Sequence, residues 1–94
     1  MDKSKMIYRY LGNSGIQVSV LSWGNWINTK NDNDLTYETV KTAIEAGVNF
    51  FDTAEIYGFG EGEKSLGEAL KKLNHPREKL VISTKLFKVG HDVN

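Results

Sequence analysis

Residues 48–73 read VNFFDTAEIYGFGEGEKSLGEALKKL. The run opens with mostly apolar residues and soon reaches Asp52, which predicts a short buried strand rather than a helix. A glycine-rich loop follows. Beyond it, apolar residues recur at helical spacing up to Leu73, with glutamates at the start of this segment and lysines near its end, as the helix dipole favours. The order strand, loop, helix is typical of an α/β protein.

A second helix is predicted on the amino-terminal side of this unit. Apolar residues stand there at positions i, i+3 and i+4, namely Val40, Ala43 and Ile44. Asp34 or Thr36 is available as the amino-terminal cap, and Gly47 follows as the carboxyl-terminal stop. The pattern is that of a short amphipathic helix over residues 36–46.

Two more strands flank these helices. Residues 21–23 form a short apolar run that stops at Gly24, and residues 80–84 form a β-branched run that closes on Lys85. Near-continuous apolar strands that alternate with helices predict a parallel sheet buried on both faces. A chain of 94 residues has room for one domain.

The start of the chain predicts a β-hairpin. Tyr8 and Tyr10 flank a polar residue, residues 12–15 have turn composition, and apolar and polar residues alternate after them. Because the two tyrosines, like Phe50 and Phe51, lie within strands, we expect all four rings to pack in the core or on the floor of the fold.

Composition limits the classes of function. The chain has 12 basic and 12 acidic side chains, a balance that argues against a nucleic-acid or anionic-membrane partner. It has no Cys, which excludes disulfides, thiolate nucleophiles and iron–sulfur ligation. No leader-like or membrane-spanning apolar run is visible in the sequence. We therefore expect a cytoplasmic protein.

Polar and aromatic side chains follow the ends of the predicted strands. In a parallel α/β architecture, ligands bind beyond the carboxyl ends of the strands. Asp52 and Lys85 stand at two of these ends, and Tyr57 follows Asp52 by five residues in the loop that leads to the same rim. The remaining end carries the turn Gly24-Asn25-Trp26.

Tyr57, Lys85 and Asp52 together would make an acid catalyst. An adjacent ammonium stabilises a phenolate, so a tyrosine beside Lys85 becomes a better proton donor, and Asp52 would hold the lysine and balance its charge. Taken singly, Asp52 is also compatible with a turn cap, Tyr57 with a packed aromatic and Lys85 with a solvated strand end. Their joint placement at strand ends favours the catalytic interpretation.

Two other kinds of site are not favoured. The loop of residues 58–62 lies between a strand and a helix, but a dinucleotide fingerprint needs a third glycine where Glu63 stands, and that carboxylate would repel a pyrophosphate. We expect the glycines to let the loop turn tightly behind Tyr57 instead. His75 and His91 have no second ligand at metal spacing, so no metal site is expected.

A family resemblance is carried by residues 8–15 (YRYLGNSG), 51–57 (FDTAEIY) and 83–85 (STK). Together they resemble the amino-terminal third of an aldo-keto reductase. The similarity is greatest to the branch that contains the β subunits of voltage-gated potassium channels and their reductase relatives. It extends from about Tyr8 to about Phe87, and the motif Asp-Thr-Ala-Glu-Xaa-Tyr before a glycine-rich turn is specific.

The resemblance implies a (β/α)₈ barrel that binds NADPH and reduces a small-molecule aldehyde or ketone by hydride transfer. It makes Tyr57 the general acid, Lys85 its activating partner and Asp52 the carboxylate paired with that lysine. All three residues would also contact the cofactor.

The resemblance assigns a second cofactor contact to the first strand end. There, Gly24, Asn25 and Trp26 match the turn that lies against the nicotinamide end of the cofactor. Trp26 would also form a wall of the substrate pocket. Asn25 departs from the more familiar Gly-Thr-Trp form of this turn, which leaves its own hydrogen bonding open.

A barrel of this kind takes about 250 residues. The chain is therefore expected to supply one partial domain over residues 1–94, comprising the hairpin and the first three β/α units. The family's fourth catalytic residue, a His or Asn after the fourth strand, and its adenosine-phosphate loops would lie beyond these units.

Three functions stay open at this point. In the first, the chain is the amino-terminal part of an NADPH-dependent carbonyl reductase and is inactive alone. In the second, it belongs to a redox-sensing β subunit of a potassium channel. In the third, it is a non-catalytic truncated product. The second function would bring a channel α subunit as partner and a homotetramer as the assembly.

Overall fold

The structure is a computed structural model, and it describes residues 5–26 and 33–86. Its elements in chain order are β1 (Tyr8–Tyr10), β2 (Gln17–Ser19), β3 (Trp23–Gly24), α1 (Asn33–Glu45), β4 (Phe50–Asp52), α2 (Glu61–Leu73) and β5 (Val81–Ser83). Short 3₁₀ turns at Tyr57–Gly60 and Arg77–Lys79 precede α2 and β5. His91 and the rest of the chain after residue 86 lie outside the described residues.

The predicted hairpin is confirmed, but its tyrosines are not packed as expected. β1 and β2 pair antiparallel, with Arg9 opposite Val18. Tyr8 and Tyr10 are 42% and 63% exposed, because the hairpin forms a two-stranded sheet of its own beside the main sheet. The Tyr8 hydroxyl donates a hydrogen bond to the carbonyl oxygen of Gly47 at 2.5 Å.

Asn49 fastens the hairpin to the main sheet. Its side-chain oxygen accepts a hydrogen bond from the Ser19 backbone N–H at 2.7 Å, and its side-chain nitrogen donates to the Gln17 carbonyl at 3.0 Å. The Asn49 backbone N–H donates to the Ser19 hydroxyl at 3.1 Å. Asn49 directly precedes β4, so these bonds place the hairpin at the amino-terminal end of that strand.

The main sheet has the order β3-β4-β5, and both pairs of strands are parallel. Gly24 pairs with Asp52, and Asp52 pairs with Ser83. Because the carboxyl ends of parallel neighbours meet at one edge, the residues that follow these three positions share a rim. The predicted fold class, a hairpin followed by parallel β/α units, is confirmed.

The core lies between this sheet and the two helices. Its buried cluster consists of Val40, Phe51, Leu66, Ala69 and Leu80. The Trp23 ring packs on Phe51 with 6.0 Å between ring centroids. These contacts join α1, α2 and all three strands of the main sheet into one apolar core.

The helices cover one face of the main sheet, so the expectation that both faces are buried is wrong for the described residues. α1 and α2 pack against each other, and both contribute to the cluster around Phe51. Successive side chains of a strand point to opposite faces. Phe50 and its partner Val81 therefore lie on the other face, where they are half-buried.

α1 begins earlier than its pattern predicts. The helix starts at Asn33, so Asp34 and Thr36 lie inside it and neither is the cap. Asp34 in the first turn is favourable next to the positive end of the helix dipole, while Thr36 is buried. The predicted stop is confirmed, because Gly47 has a φ of +96°, which favours glycine.

No helix in residues 5–26 or 33–86 is long and apolar enough to cross a membrane.

Candidate active site

Asp52 and Lys85 meet at the rim formed by the carboxyl ends of the main sheet. Asp52 is the last residue of β4, and Lys85 lies two residues after the end of β5. The Lys85 Nζ is 3.0 Å from each carboxylate oxygen of Asp52. The Lys85 and Asp52 side chains are 49% and 37% exposed, so this ion pair faces solvent at the rim.

The Lys85 ammonium also contacts Tyr57. Its Nζ donates to the Tyr57 hydroxyl oxygen at 3.2 Å and to the Thr53 carbonyl oxygen at 2.9 Å. An ammonium can only donate hydrogen bonds, so the Tyr57 oxygen is the acceptor. The phenolic hydrogen is therefore left to be donated elsewhere.

The pKa of Lys85 is raised above its ordinary value. The hydrogen bond to Asp52 makes the largest contribution and the hydrogen bond to Tyr57 the next. A raised lysine pKa means that the group stays cationic throughout the neutral range. The favourable contacts of the ammonium are thus fully present below the ordinary lysine pKa, and they are lost as the pH rises through the raised value.

Gly62 lets α2 approach Tyr57. The 3₁₀ turn that starts at Tyr57 leads into α2, and Gly60 takes a left-handed φ of +98° between the two. A Cβ on Gly62 would lie 2.8 Å from the Tyr57 Cβ and 2.9 Å from its carbonyl oxygen. Since real Cβ atoms do not come that close, any larger residue at position 62 would displace the tyrosine backbone.

The Asn25 side chain makes hydrogen bonds within the fold. It is 5% exposed, its nitrogen donates to the Gly62 carbonyl at 2.8 Å, and its oxygen accepts from the Thr53 hydroxyl at 3.0 Å. These bonds join the end of β3 to β4 and to the first turn of α2. Both polar groups of the Asn25 side chain are thereby engaged inside the protein rather than at the rim.

The other two residues of the turn at residues 24–26 are exposed to solvent. Gly24 pairs with Asp52 and presents only backbone beside it. Trp26 is 72% exposed, so its ring lies in solvent just beyond the end of β3. The structure thus brings Asp52, Tyr57 and Lys85 together, places Gly24 next to them, and leaves Asn25 and Trp26 out of the cluster.

Two partners of the cluster were not foreseen from the sequence. The Thr53 carbonyl accepts from Lys85, and the Ser83 hydroxyl donates to Asp52 Oδ1 at 2.5 Å. A backbone carbonyl gives no signal in a sequence. The serine could have been found from the strand register, since Ser83 is the residue paired with Asp52.

The aldo/keto reductase family profile matches residues 20–94. The chain belongs to the aldo/keto reductase family. It is 42% identical over 91 residues to a protein of Oryza sativa subsp. japonica named probable voltage-gated potassium channel subunit beta. A protein of the same name from Arabidopsis thaliana is 41% identical over 91 residues. Each alignment covers 95% of this chain and 28% of the relative.

Solved structures of the family share the architecture. The holo form of an aldo-keto reductase from Bacillus halodurans superposes with a TM-score of 0.76 at 32% identity, over 86% of this chain and 26% of that one. The chain thus spans little more than a quarter of the length of the relatives that it matches.

The cluster fits the reacting end of a nicotinamide cofactor. A proton donor, a cation and a carboxylate lie side by side at an open rim, and Gly24 offers a surface without a side chain next to them. A phosphate would not be favoured at the start of α2, because Glu61 and Glu63 occupy its first turn.

Proposed function

We propose that the chain supplies the proton-donating part of an NADPH-dependent reductase that converts small-molecule aldehydes or ketones to alcohols. One observation carries the proposal: the Lys85 ammonium lies between the Asp52 carboxylate, at 3.0 Å, and the Tyr57 hydroxyl oxygen, at 3.2 Å. Membership of the aldo/keto reductase family supports it.

Each residue of the cluster has a separate part in the proton transfer. Bound NADPH would supply a hydride to the carbonyl carbon. Tyr57 donates its phenolic proton to the carbonyl oxygen, which turns the C=O group into an alcohol and leaves a phenolate. Lys85 stabilises that phenolate through the hydrogen bond it already makes, and Asp52 keeps the ammonium oriented and charge-balanced.

A second candidate function is supported by the relatives' names. Two proteins that are 42% and 41% identical over 91 residues are named as potassium channel β subunits. In that case the protein would assemble as a homotetramer. The same cluster would then couple the redox state of the cofactor to a bound channel α subunit. Copurification of a channel with a tetrameric form of the protein would favour this function over metabolic turnover.

The proposed activity is that of a longer polypeptide. Because the alignments cover 28% of the relatives, a fourth catalytic residue and the adenosine-phosphate contacts would come from further chain. The 94-residue polypeptide alone is expected to be inactive, as a truncated product would be. An assay of this activity therefore requires the protein at the length found in its own cells.

A direct assay tests the proposal. The purified protein is incubated with NADPH and a reactive aromatic aldehyde, and both cofactor oxidation and alcohol formation are followed. We expect one alcohol formed for each NADPH consumed. A folded protein of barrel length that binds NADPH and forms no alcohol from a panel of aldehydes and ketones would contradict the reductase proposal and leave the regulatory one.

Replacing Lys85 with methionine is expected to lower kcat by about 100-fold, since the phenolate would lose its stabilising cation. In the unchanged protein, loss of the lysine charge should not lower kcat anywhere in the neutral range, because the raised Lys85 pKa keeps this group cationic there. Initial rates across pH measure both effects.

Lys64→Met is the control for the lysine variant, because Lys64 is a solvent-exposed lysine whose partner at 3.7 Å is Glu61. It should keep the kcat of the unchanged protein. Equal kcat values for the Lys85 and Lys64 variants would show that Lys85 takes no part in the reaction.

A further inference from the structure

Ser83 lies beside the cluster of Asp52, Tyr57 and Lys85 and takes no part in the proton transfer itself. It is the last residue of β5 and stands opposite Asp52 in the parallel register. Its hydroxyl donates to Asp52 Oδ1 at 2.5 Å, the same oxygen that accepts from Lys85 at 3.0 Å. One carboxylate oxygen is thus shared between a serine and the lysine.

The backbone holds Ser83 in a defined place. Its carbonyl oxygen accepts from the Thr53 N–H at 2.9 Å, so the serine and the residue after Asp52 are fixed relative to each other. The carboxylate itself has more freedom, because rotation about its last bond has broad, shallow minima. A hydroxyl anchored on the neighbouring strand removes that freedom.

The orientation of the carboxylate matters for the lysine. Both Asp52 oxygens lie 3.0 Å from Lys85 Nζ, which holds only while the carboxylate faces the ammonium edge-on. A rotated carboxylate would offer one oxygen, and the lysine would be freer to leave Tyr57. The side chains are 49% and 37% exposed, so surrounding packing does little to prevent that rotation.

We propose that Ser83 is a positioning residue that orients the Asp52 carboxylate toward Lys85 and thereby keeps the lysine on the Tyr57 hydroxyl. The catalytic consequence rests on the proposed reductase function, whereas the positioning of Lys85 does not.

The next residue supplies a matched control. The Thr84 hydroxyl donates to Glu63 Oε2, also at 2.5 Å, and so makes a hydroxyl–carboxylate bond of the same length at the same strand end. Glu63 lies in the first turn of α2 and makes no hydrogen bond to Asp52, Tyr57 or Lys85 among those the structure shows. Loss of the Thr84 bond should loosen the strand end without touching the cluster.

The test compares Ser83→Ala, Ser83→Thr and Thr84→Val in the native-length protein. The first readout needs no cofactor: ¹³C relaxation of the Lys85 ε-methylene reports how mobile the lysine is. The second is kcat for aldehyde reduction, with the KM for the aldehyde measured beside it. Circular dichroism checks the fold, and Ser83→Cys, which keeps the volume and weakens the donor, replaces the alanine variant if that variant unfolds.

We expect Ser83→Ala to increase the mobility of Lys85. The variant should also lower kcat about tenfold, because one hydrogen bond to a charged group is lost. The KM for the aldehyde should stay within about twofold of its original value. Ser83→Thr should restore both values, and Thr84→Val should change neither.

Lys85 mobility in Ser83→Ala equal to that of the unchanged protein would overturn the proposal, as would equal effects of Ser83→Ala and Thr84→Val. Increased mobility in Ser83→Ala alone, in a protein without reductase activity, would support the positioning of Lys85 and contradict the proposed function instead.

Discussion

Tyr57→Phe is expected to lower kcat for carbonyl reduction by about 10²- to 10⁴-fold, the usual contribution of a general acid. The substitution removes one oxygen atom and with it the only group of the cluster placed to give up a proton. The Asp52–Lys85 ion pair and the backbone around position 57 stay as they are. Affinity for NADPH should therefore change by no more than about twofold.

Stopped-flow reduction and a fluorescence titration of NADPH measure the two quantities separately. The control is Tyr37→Phe, because the Tyr37 ring also has a lysine over it, with Lys72 Nζ 4.4 Å from the ring centroid, against 4.9 Å for Lys85 over Tyr57. Tyr37→Phe should leave kcat unchanged. Loss of cofactor affinity in Tyr57→Phe, with little change in the chemical step, would show that Tyr57 binds NADPH rather than donating the proton.

Phe51→Ala has the largest expected effect on stability. The ring is 0% exposed, and it lies in the cluster formed by α1, α2 and the main sheet, beside Trp23. Truncation would remove buried apolar surface and leave a cavity, which costs about 3–5 kcal/mol for a phenylalanine. Urea unfolding followed by tryptophan fluorescence measures the loss.

Phe59→Ala is the matched control for this prediction. Phe59 is 74% exposed, and its truncation should change the free energy of unfolding by no more than about 0.5 kcal/mol. Equal losses for the two variants would mean that the buried cluster around Phe51 is not what stabilises the fold.

Much of the fold could be predicted because its strands are short apolar runs that end at polar residues. The end of β4 at Asp52 and the stop of α1 at Gly47 follow directly from such patterns. The start of α1 could not be predicted in this way, because Asp34 and Thr36 are good caps in isolation but also fit inside a first turn. The exposure of Tyr8 and Tyr10 depends on what packs against the hairpin, which a local pattern does not contain.

The site was predictable to the extent that topology alone brings residues together. Asp52 and Lys85 stand at the ends of neighbouring parallel strands, so their proximity follows from strand order. The direction of the Asn25 side chain does not, because it depends on how α2 packs beside β3. The hydrogen bond from Ser83 likewise depends on the register between β4 and β5, which places that hydroxyl against the carboxylate.

The central claim is that Lys85 acts through the Tyr57 hydroxyl, and a double-mutant cycle on kcat tests it most directly. Tyr57→Phe, Lys85→Met and the double variant are compared with the unchanged protein in the same aldehyde assay. If the lysine works by activating the phenol, removing it from a protein that already lacks the phenol should cost nothing further. The account predicts a double variant within about twofold of Tyr57→Phe. Losses that multiply would contradict it, because they would show that Lys85 assists the reaction independently of Tyr57.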